Sequence, residues 1–259
     1  PGWRLMAHRE VGTVKVNVVG SSGTFPVAGR PASGYMVEQA GTRVWLDAGP
    51  GTFVNLPVDS YMIDAVVISH QHPDHSADIF TAFHAWTYCP DPRKGVPLYA
   101  PQEVWDRVAG YLDGGQGTRL TETFDFTPVW TGDRVDIGDF SVSFVEMDHS
   151  VPTVGSRWEA ENRTLFYTGD TGPKGSWRDS ARDVDFMLCE AAYQERGDGD
   201  YPHHLTATEA GQIAREVGAR NLALTHIPPY LDVSRSIDEA ETAFDRPVSL
   251  AMPGVSFDV

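Results

Sequence analysis

This sequence predicts an α/β fold in which two sheets lie against each other with helices outside, and three observations carry that expectation. Strand-like segments come first, and strand and helix patterns then alternate to the C-terminus. No Pro/Gly/Ser-rich linker divides the two regions. A chain of 259 residues, 41% hydrophobic and 22% charged, can bury the core that such layers need. With strands contributed by both halves, residues 13–259 fit one domain. Residues 1–12 are read as an N-terminal extension, and PGWRL ahead of Met6 is set aside as a cloning remnant.

The elements follow in order. TVKVNVVG at 13–20 alternates Val14, Val16 and Val18 with polar residues, the period of a half-buried strand. GYMVEQ at 34–39 and TRVWLDAG at 42–49 are strands joined through a QAGT turn suited to a hairpin. DAVVI at 64–68 is a buried strand. SADIFTAFHAWTY at 76–88 is a helix that Ser76 can cap, and PQEVWDRVAGYL at 101–112 is a second helix ended by the glycines at 114, 115 and 117. Strands are expected at 140–146 and 163–168. The last third then alternates: strand DVDFMLCE, helix TATEAGQIAREVGA, strand NLALTH, helix SIDEAETAFD and strand VSLAM.

Bulk properties exclude several roles. A formal net charge of −16, with three lysines among 20 basic residues, repels a phosphate backbone and argues against an extended nucleic-acid surface. No apolar run of about 18–20 residues is present to cross a membrane. No secretory leader is visible, which points to the cytoplasm. Cys89 and Cys189 are then expected as two buried structural thiols rather than a disulfide.

Against that background SHQHPDHSAD at 69–78 stands out. His70, His72, Asp74 and His75 crowd the turn after a buried strand, where none of them builds core. Three more ligand-type residues end later apolar runs: His149 in MDHS, Asp170 in FYTGDTG and His226 in LALTHIPP. One catalytic zinc takes about three protein ligands plus water, so seven N/O ligands suggest two metals sharing a carboxylate. His70 and His72 alternate onto one side and can grasp one ion, while Asp74 and His75, redirected by Pro73, can face its neighbour. Imidazole and carboxylate without thiolate suit Zn²⁺, Mn²⁺ or Fe²⁺. The expected cofactors are two divalent metal ions, with Zn²⁺ placed first. A satisfied structural role explains any one of these histidines as well; it does not explain the set.

SHQHPDH, His149, TGD, LTH and LDAGPG at 46–51 resemble the metallo-β-lactamase superfamily of hydrolases, from about residue 13 to the C-terminus. The resemblance implies a four-layer αββα sandwich with a binuclear site at one edge of the paired sheets. It implies one metal on His70, His72 and His149, a second on Asp74, His75 and His226, and Asp170 between them. Asp47 would hold a ligand histidine through its far N–H.

Within that superfamily, CEAAYQ…HHLTATEAG at 189–211 is similar to the segment of tRNA 3′-processing ribonucleases in which an acidic residue supports a histidine beside the metals, here Glu190 and His204. Such a histidine can hold a phosphate oxygen or protonate a leaving alkoxide. The plainer reading makes His204 a cap for the helix near Thr206, and His203 is the weaker partner of the two. No basic tRNA-grasping insertion is evident. GSSGTFP…PASGYMVE, LDAGPGTF, YTGDTG, LCEAAY and LTHIPPY resemble the small bacterial cyclic-nucleotide phosphodiesterases, which implies hydrolysis of a cyclic nucleotide such as cAMP by a metal-bridging hydroxide, with Asp74 orienting it. The implied partner is a small anionic substrate, with a homodimer common in such families. Phe83, Trp86 or Tyr88 could stack a purine, although a core role suits them better, and His84 could line the site. The alternatives are a lactonase or thioesterase, a tRNA 3′-end endoribonuclease, and a metal-bound scaffold without turnover.

Overall fold

The computed structural model describes residues 13–112, 118–197 and 201–259; the expected extension at 1–12 and the glycines at 114, 115 and 117 lie outside them. Among the described residues, fourteen strands form two sheets of seven. The first half supplies β1 (Lys15–Gly20), β2 (Gly34–Gln39), β3 (Thr42–Leu46), β4 (Ala65–Val67), β5 (Val96–Ala100) and β6 (Phe124–Pro128). The second supplies β7 (Arg134–Ile137), β8 (Phe140–Glu146), β9 (Val154–Ala160), β10 (Arg163–Tyr167), β11 (Phe186–Glu190), β12 (Asn221–Thr225) and β13 (Ser249–Leu250). The last strand, β14 (Ser256–Asp258), crosses back to pair antiparallel with β1, Lys15 opposite Asp258. The sheet orders are β14-β1-β2-β3-β4-β5-β6 and β13-β12-β11-β10-β9-β8-β7.

Alternation along the strands builds three apolar layers. Val16, Tyr35, Val44 and Leu46 face Val142, Trp158, Leu165, Tyr167 and Leu188 between the sheets. The residues between them point outward. Met36, Trp45 and Val66 pack under α2 (Asp78–Thr87), α3 (Gln102–Leu112) and α4 (Thr118–Thr123) through Ile79, Phe83, Trp86, Val104 and Leu120. Phe166, Met187, Cys189 and Leu224 pack under α5 (Ala207–Glu216) and α6 (Val233–Phe244) through Ala210, Ile213, Ala240 and Phe244. Helix, sheet, sheet, helix is the expected αββα order. Central strands covered on both faces read as apolar runs, which is why DAVVI and DFMLC lack clean alternation. The β2–β3 hairpin turns on Ala40 and Gly41, with φ of 48° and 93°, the left-handed pair that matches strand twist.

Two local expectations are corrected. Ser76 does not cap a helix. It ends the short α1 (Pro73–Ser76), and its hydroxyl donates to the carbonyls of Gln71 and His72. Pro73 at the first helical position starts that turn, so the chain bends three residues earlier than expected and α2 continues from Asp78. Cys189 is buried as expected, whereas Cys89 is half-buried with its sulfur 2.5 Å from the Tyr61 hydroxyl; neither forms a disulfide.

Candidate metal centre

Strand β3 runs parallel to β4, β10, β11 and β12 run parallel to one another, and β8 shares the direction of β10 across the antiparallel β9, so their carboxyl ends meet at one edge. The expected residues sit just past those ends: Asp47 after β3, His70 after β4, His149 after β8, Asp170 after β10, Glu190 closing β11 and His226 after β12. Asp47 and His226 each directly follow a strand in left-handed backbone, φ 56° and 55°. That conformation is uncommon for residues other than glycine and turns both side chains out of the strand register.

The donor atoms gather into two groups, each with all its ligand atoms within 4.8 Å of one another: His70, His72, His149 and Asp170, and Asp74, His75, Asp170 and His226. In the first, His72 Nδ1 lies 3.1 Å from both His70 Nε2 and His149 Nε2. In the second, His226 Nε2 lies 3.1 Å from Asp74 Oδ2, and His75 Nε2 lies 3.1 Å from Asp170 Oδ1. Asp170 divides its oxygens between them: Oδ2 is 3.7 Å from His70 Nε2, and Oδ1 is 3.5 Å from His226 Nε2. Ligands about 2.0–2.1 Å from a tetrahedral ion stand about 3.3 Å apart, so these separations are those of donors around a shared centre.

The far nitrogens are held by other groups. His75 Nδ1–H donates to Asp47 Oδ2 at 2.7 Å, and His149 Nδ1–H donates to the His203 carbonyl at 3.0 Å, so in both rings Nε2 faces the cluster. The fully buried Asp47 carboxylate also accepts from Ser69 N at 2.6 Å, Ser69 Oγ at 2.8 Å and the Tyr167 hydroxyl at 2.6 Å. Although buried, His75 Nε2, Asp170 Oδ1 and His226 Nδ1 have no hydrogen-bond partner among the described residues. For His75 and Asp170 the short separation is a close approach without hydrogen-bond alignment.

Electrostatics fit the same picture. Burial drives His70 well below the ordinary imidazole value and His149 down to about 4, so both rings are neutral and carry a free lone pair. Burial alone would push Asp170 up, but His226, His75 and His70 outweigh it and hold the carboxyl well below the usual range.

His204 and Glu190 stand beside the cluster. His204 Nδ1 donates to Glu190 Oε1 at 2.9 Å, and its ring stacks on His226 at 5.5 Å between centroids. Burial opposes charge on His204, yet the Glu190 carboxylate outweighs it and raises the imidazole to about 9. The helix-cap alternative for His204 fails: α5 is capped by Thr206 in a reciprocal pair with Glu209. His203 bonds Asp148 Oδ1 at 3.1 Å.

The aromatics named as purine platforms are misplaced. Phe83 and Trp86 are buried under the first sheet, and Tyr88 lies past the far end of α2, against Arg119. His84 is exposed on α2, its Nδ1 donating to the Phe80 carbonyl at 2.8 Å. Sequence reasoning also passed over Thr24, Ser69, Tyr167 and a cleft of about 570 Å³ that opens beside His72. Thr24, at φ 64°, aims its backbone N–H at His226 Nε2 from 3.4 Å.

A family model described as "Beta-lactamase superfamily domain" matches residues 42–227. The chain belongs to that family, the metallo-β-lactamase fold. It is a metal-dependent hydrolase of that superfamily, and the family implies divalent metal ions. An uncharacterised protein of Mycobacterium leprae is 33% identical over 98% of this chain and 92% of its own length. The probable metallo-hydrolase YhfI of Bacillus subtilis is 29% identical over 93% of this chain and 98% of its own. The crystal structure of YhfI, 26% identical, superposes with a TM-score of 0.86 over 96% of this metallo-β-lactamase-fold chain and 100% of that one. Ribonuclease Z of Methanopyrus kandleri is 27% identical over 87% of this chain and 91% of its own. Among the described residues no helix is long and apolar enough to cross a membrane.

Proposed function

We propose that this protein is a binuclear phosphodiesterase acting on a cyclic nucleotide such as cAMP. The observation that carries the binuclear reading is Asp170, whose two carboxylate oxygens reach into different donor groups. The residues fit a pair of cations: the donors are imidazoles and carboxylates, burial favours the neutral form of His70 and His149, and two buried polar atoms of the set, His75 Nε2 and Asp170 Oδ1, lack a hydrogen-bond partner among the described residues. His70, His72 and His149 would hold one ion, Asp74, His75 and His226 the other, and Asp170 both. Imidazole with carboxylate and no thiolate suits Zn²⁺ first, with Mn²⁺ and Fe²⁺ accepted. Two such cations, when bound, would supply Lewis-acid stabilisation of a phosphoryl group and activation of a water.

The chain's own residues do the rest. Asp47, Ser69 and Tyr167 fix the His75 tautomer, and the His203 carbonyl fixes that of His149. The His204 imidazolium, sustained by Glu190 at Nδ1, donates a proton from Nε2 to the departing ribose oxygen. The Thr24 N–H, beside His226, donates to a phosphoryl oxygen. An alkoxide leaving group needs that proton, and a thiolate does not, so the raised His204 favours the phosphodiester over the thioester alternative. The net charge of −16 favours a small anion over a tRNA.

Turnover of cAMP, bis(p-nitrophenyl) phosphate, a thioester panel and precursor tRNA by the metal-loaded protein tests this reading, with Asp170→Ala as control. Hydrolysis of cAMP by the wild type and its loss in Asp170→Ala are expected. Thioester or precursor-tRNA cleavage with cAMP untouched would overturn the phosphodiesterase assignment.

A further inference from the structure

Beside His72 a cleft of about 570 Å³ runs between the loop that carries the clustered histidines and helix α3. Its size falls within the range of small-ligand sites and is too small for an RNA stem. Phe80 from α2 and Tyr111 from α3 wall it, with ring centroids 4.8 Å apart and planes inclined at 48°. Tyr111 leaves 76% of its surface exposed, a large ring presented to solvent next to the reactive edge rather than buried in a core. Arg107 lies one turn before Tyr111, and its Nε donates to Gln71 Oε1 at 2.9 Å, which ties the guanidinium to the residue between His70 and His72. Asp106 joins the lining, so the rim offers donors and an acceptor above an aromatic wall.

We infer that this cleft takes the nucleobase of the substrate, stacked on Tyr111 and Phe80, while the cyclic phosphate lies at the His72 end. The inference rests on the phosphodiesterase reading above and deepens it by placing the base. An acyl chain needs an apolar sleeve without a charged rim, whereas a base presents a π face to the rings and polar edges to Gln71, Asp106 and Arg107. Continuity with the donor cluster through His72 lets one nucleotide occupy both sites.

Tyr111 is exposed, so removing its ring leaves the core intact. Base–aromatic stacking at the strength found elsewhere predicts that Tyr111→Ala raises KM for cAMP about 5- to 140-fold. Selectivity for cAMP over base-less ribose 3′,5′-cyclic phosphate should fall by the same factor, and Tyr111→Phe should restore it. Calorimetric titration of adenosine 5′-monophosphate into the metal-loaded proteins should show Kd rising in parallel for Tyr111→Ala. Turnover of cAMP by the wild type with KM, selectivity and Kd unmoved in Tyr111→Ala overturns the placement of the base alone. Absence of cAMP turnover by the wild type overturns the phosphodiesterase reading and the placement with it.

Discussion

Glu190→Gln isolates the proton donor. The Glu190 carboxylate is fully buried and accepts from His204 Nδ1 at 2.9 Å, Thr171 N at 2.8 Å, Ala192 N at 3.2 Å and Leu205 N at 3.3 Å. Glutamine keeps that shape and removes the charge. His204 then loses the influence that lifts it to about 9, and burial returns it to the ordinary value of about 6.5 or below. A raised imidazole is protonated below its pKa and loses its proton above it. At pH 8 a group of pKa about 9 is about 90% protonated and one of about 6.5 is about 3% protonated, so the acid form falls about 30-fold. The expected result is a loss of that order in kcat for cAMP at pH 8, with the alkaline limb of the pH–rate profile moving down by about 2.5 units or more. Bound cations lower the position of both limbs together, so the displacement between the two enzymes is the quantity to measure. Bis(p-nitrophenyl) phosphate, whose leaving group departs without a proton, should lose far less. A coincident alkaline limb in wild type and Glu190→Gln, or equal losses on the two substrates, refutes the proton-donor role.

Other substitutions probe the support around the site. Asp47→Ala strips one buried acceptor from Ser69, His75 and Tyr167 and should cost about 3–5 kcal/mol in denaturant unfolding, with metal affinity reduced about 10- to 100-fold; unchanged values on both counts would separate Asp47 from the site. Gly49→Ala places a Cβ 2.2 Å from the Asp74 carbonyl oxygen and 2.7 Å from that of Ser33, and should destabilise by about 3 kcal/mol or more, read as a lowered Tm. Tyr35→Phe leaves the buried Thr225 hydroxyl, 2.5 Å from the tyrosine oxygen on the opposite sheet, without that partner, at about 1–3 kcal/mol by chemical unfolding. Chelation should lower Tm in wild type, because ions bound to the folded state add to its stability, and should move it much less in Asp170→Ala.

The grouping of the candidate donors was legible because ligand-type residues leave a local mark. His70 to His75 announce themselves within six residues, and His149, Asp170 and His226 each follow an apolar run that a strand explains. The core strands β1 to β4, β8 and β10 to β12 were legible for the same reason: they are short and dense in branched and aromatic residues. The strands β5, β6, β7, β9 and β14 were not. Pro97 interrupts the first and Pro128 ends the second, and the sequence VGSRWEA of β9 hides Trp158 among polar residues. Pairing partners distant in sequence make such segments strands, and β14 depends wholly on β1 across 240 residues. The cleft beside His72 was invisible for a related reason. Phe80, Arg107 and Tyr111 belong to two helices whose approach is a tertiary fact, while Phe83 and Trp86, the nearer guess along the chain, fall on the buried face of the same helix. The handedness of Asp47 and His226 leaves no mark in composition either, yet it turns both side chains toward the site.

Elemental analysis of metal-replete protein tests the central claim most directly, with wild type and Asp170→Ala purified and reconstituted in parallel. About two divalent cations per chain in the wild type, and a loss of at least one in the variant, is the result a shared carboxylate requires. A replete wild type holding a single ion, or an Asp170→Ala protein that keeps two, contradicts it.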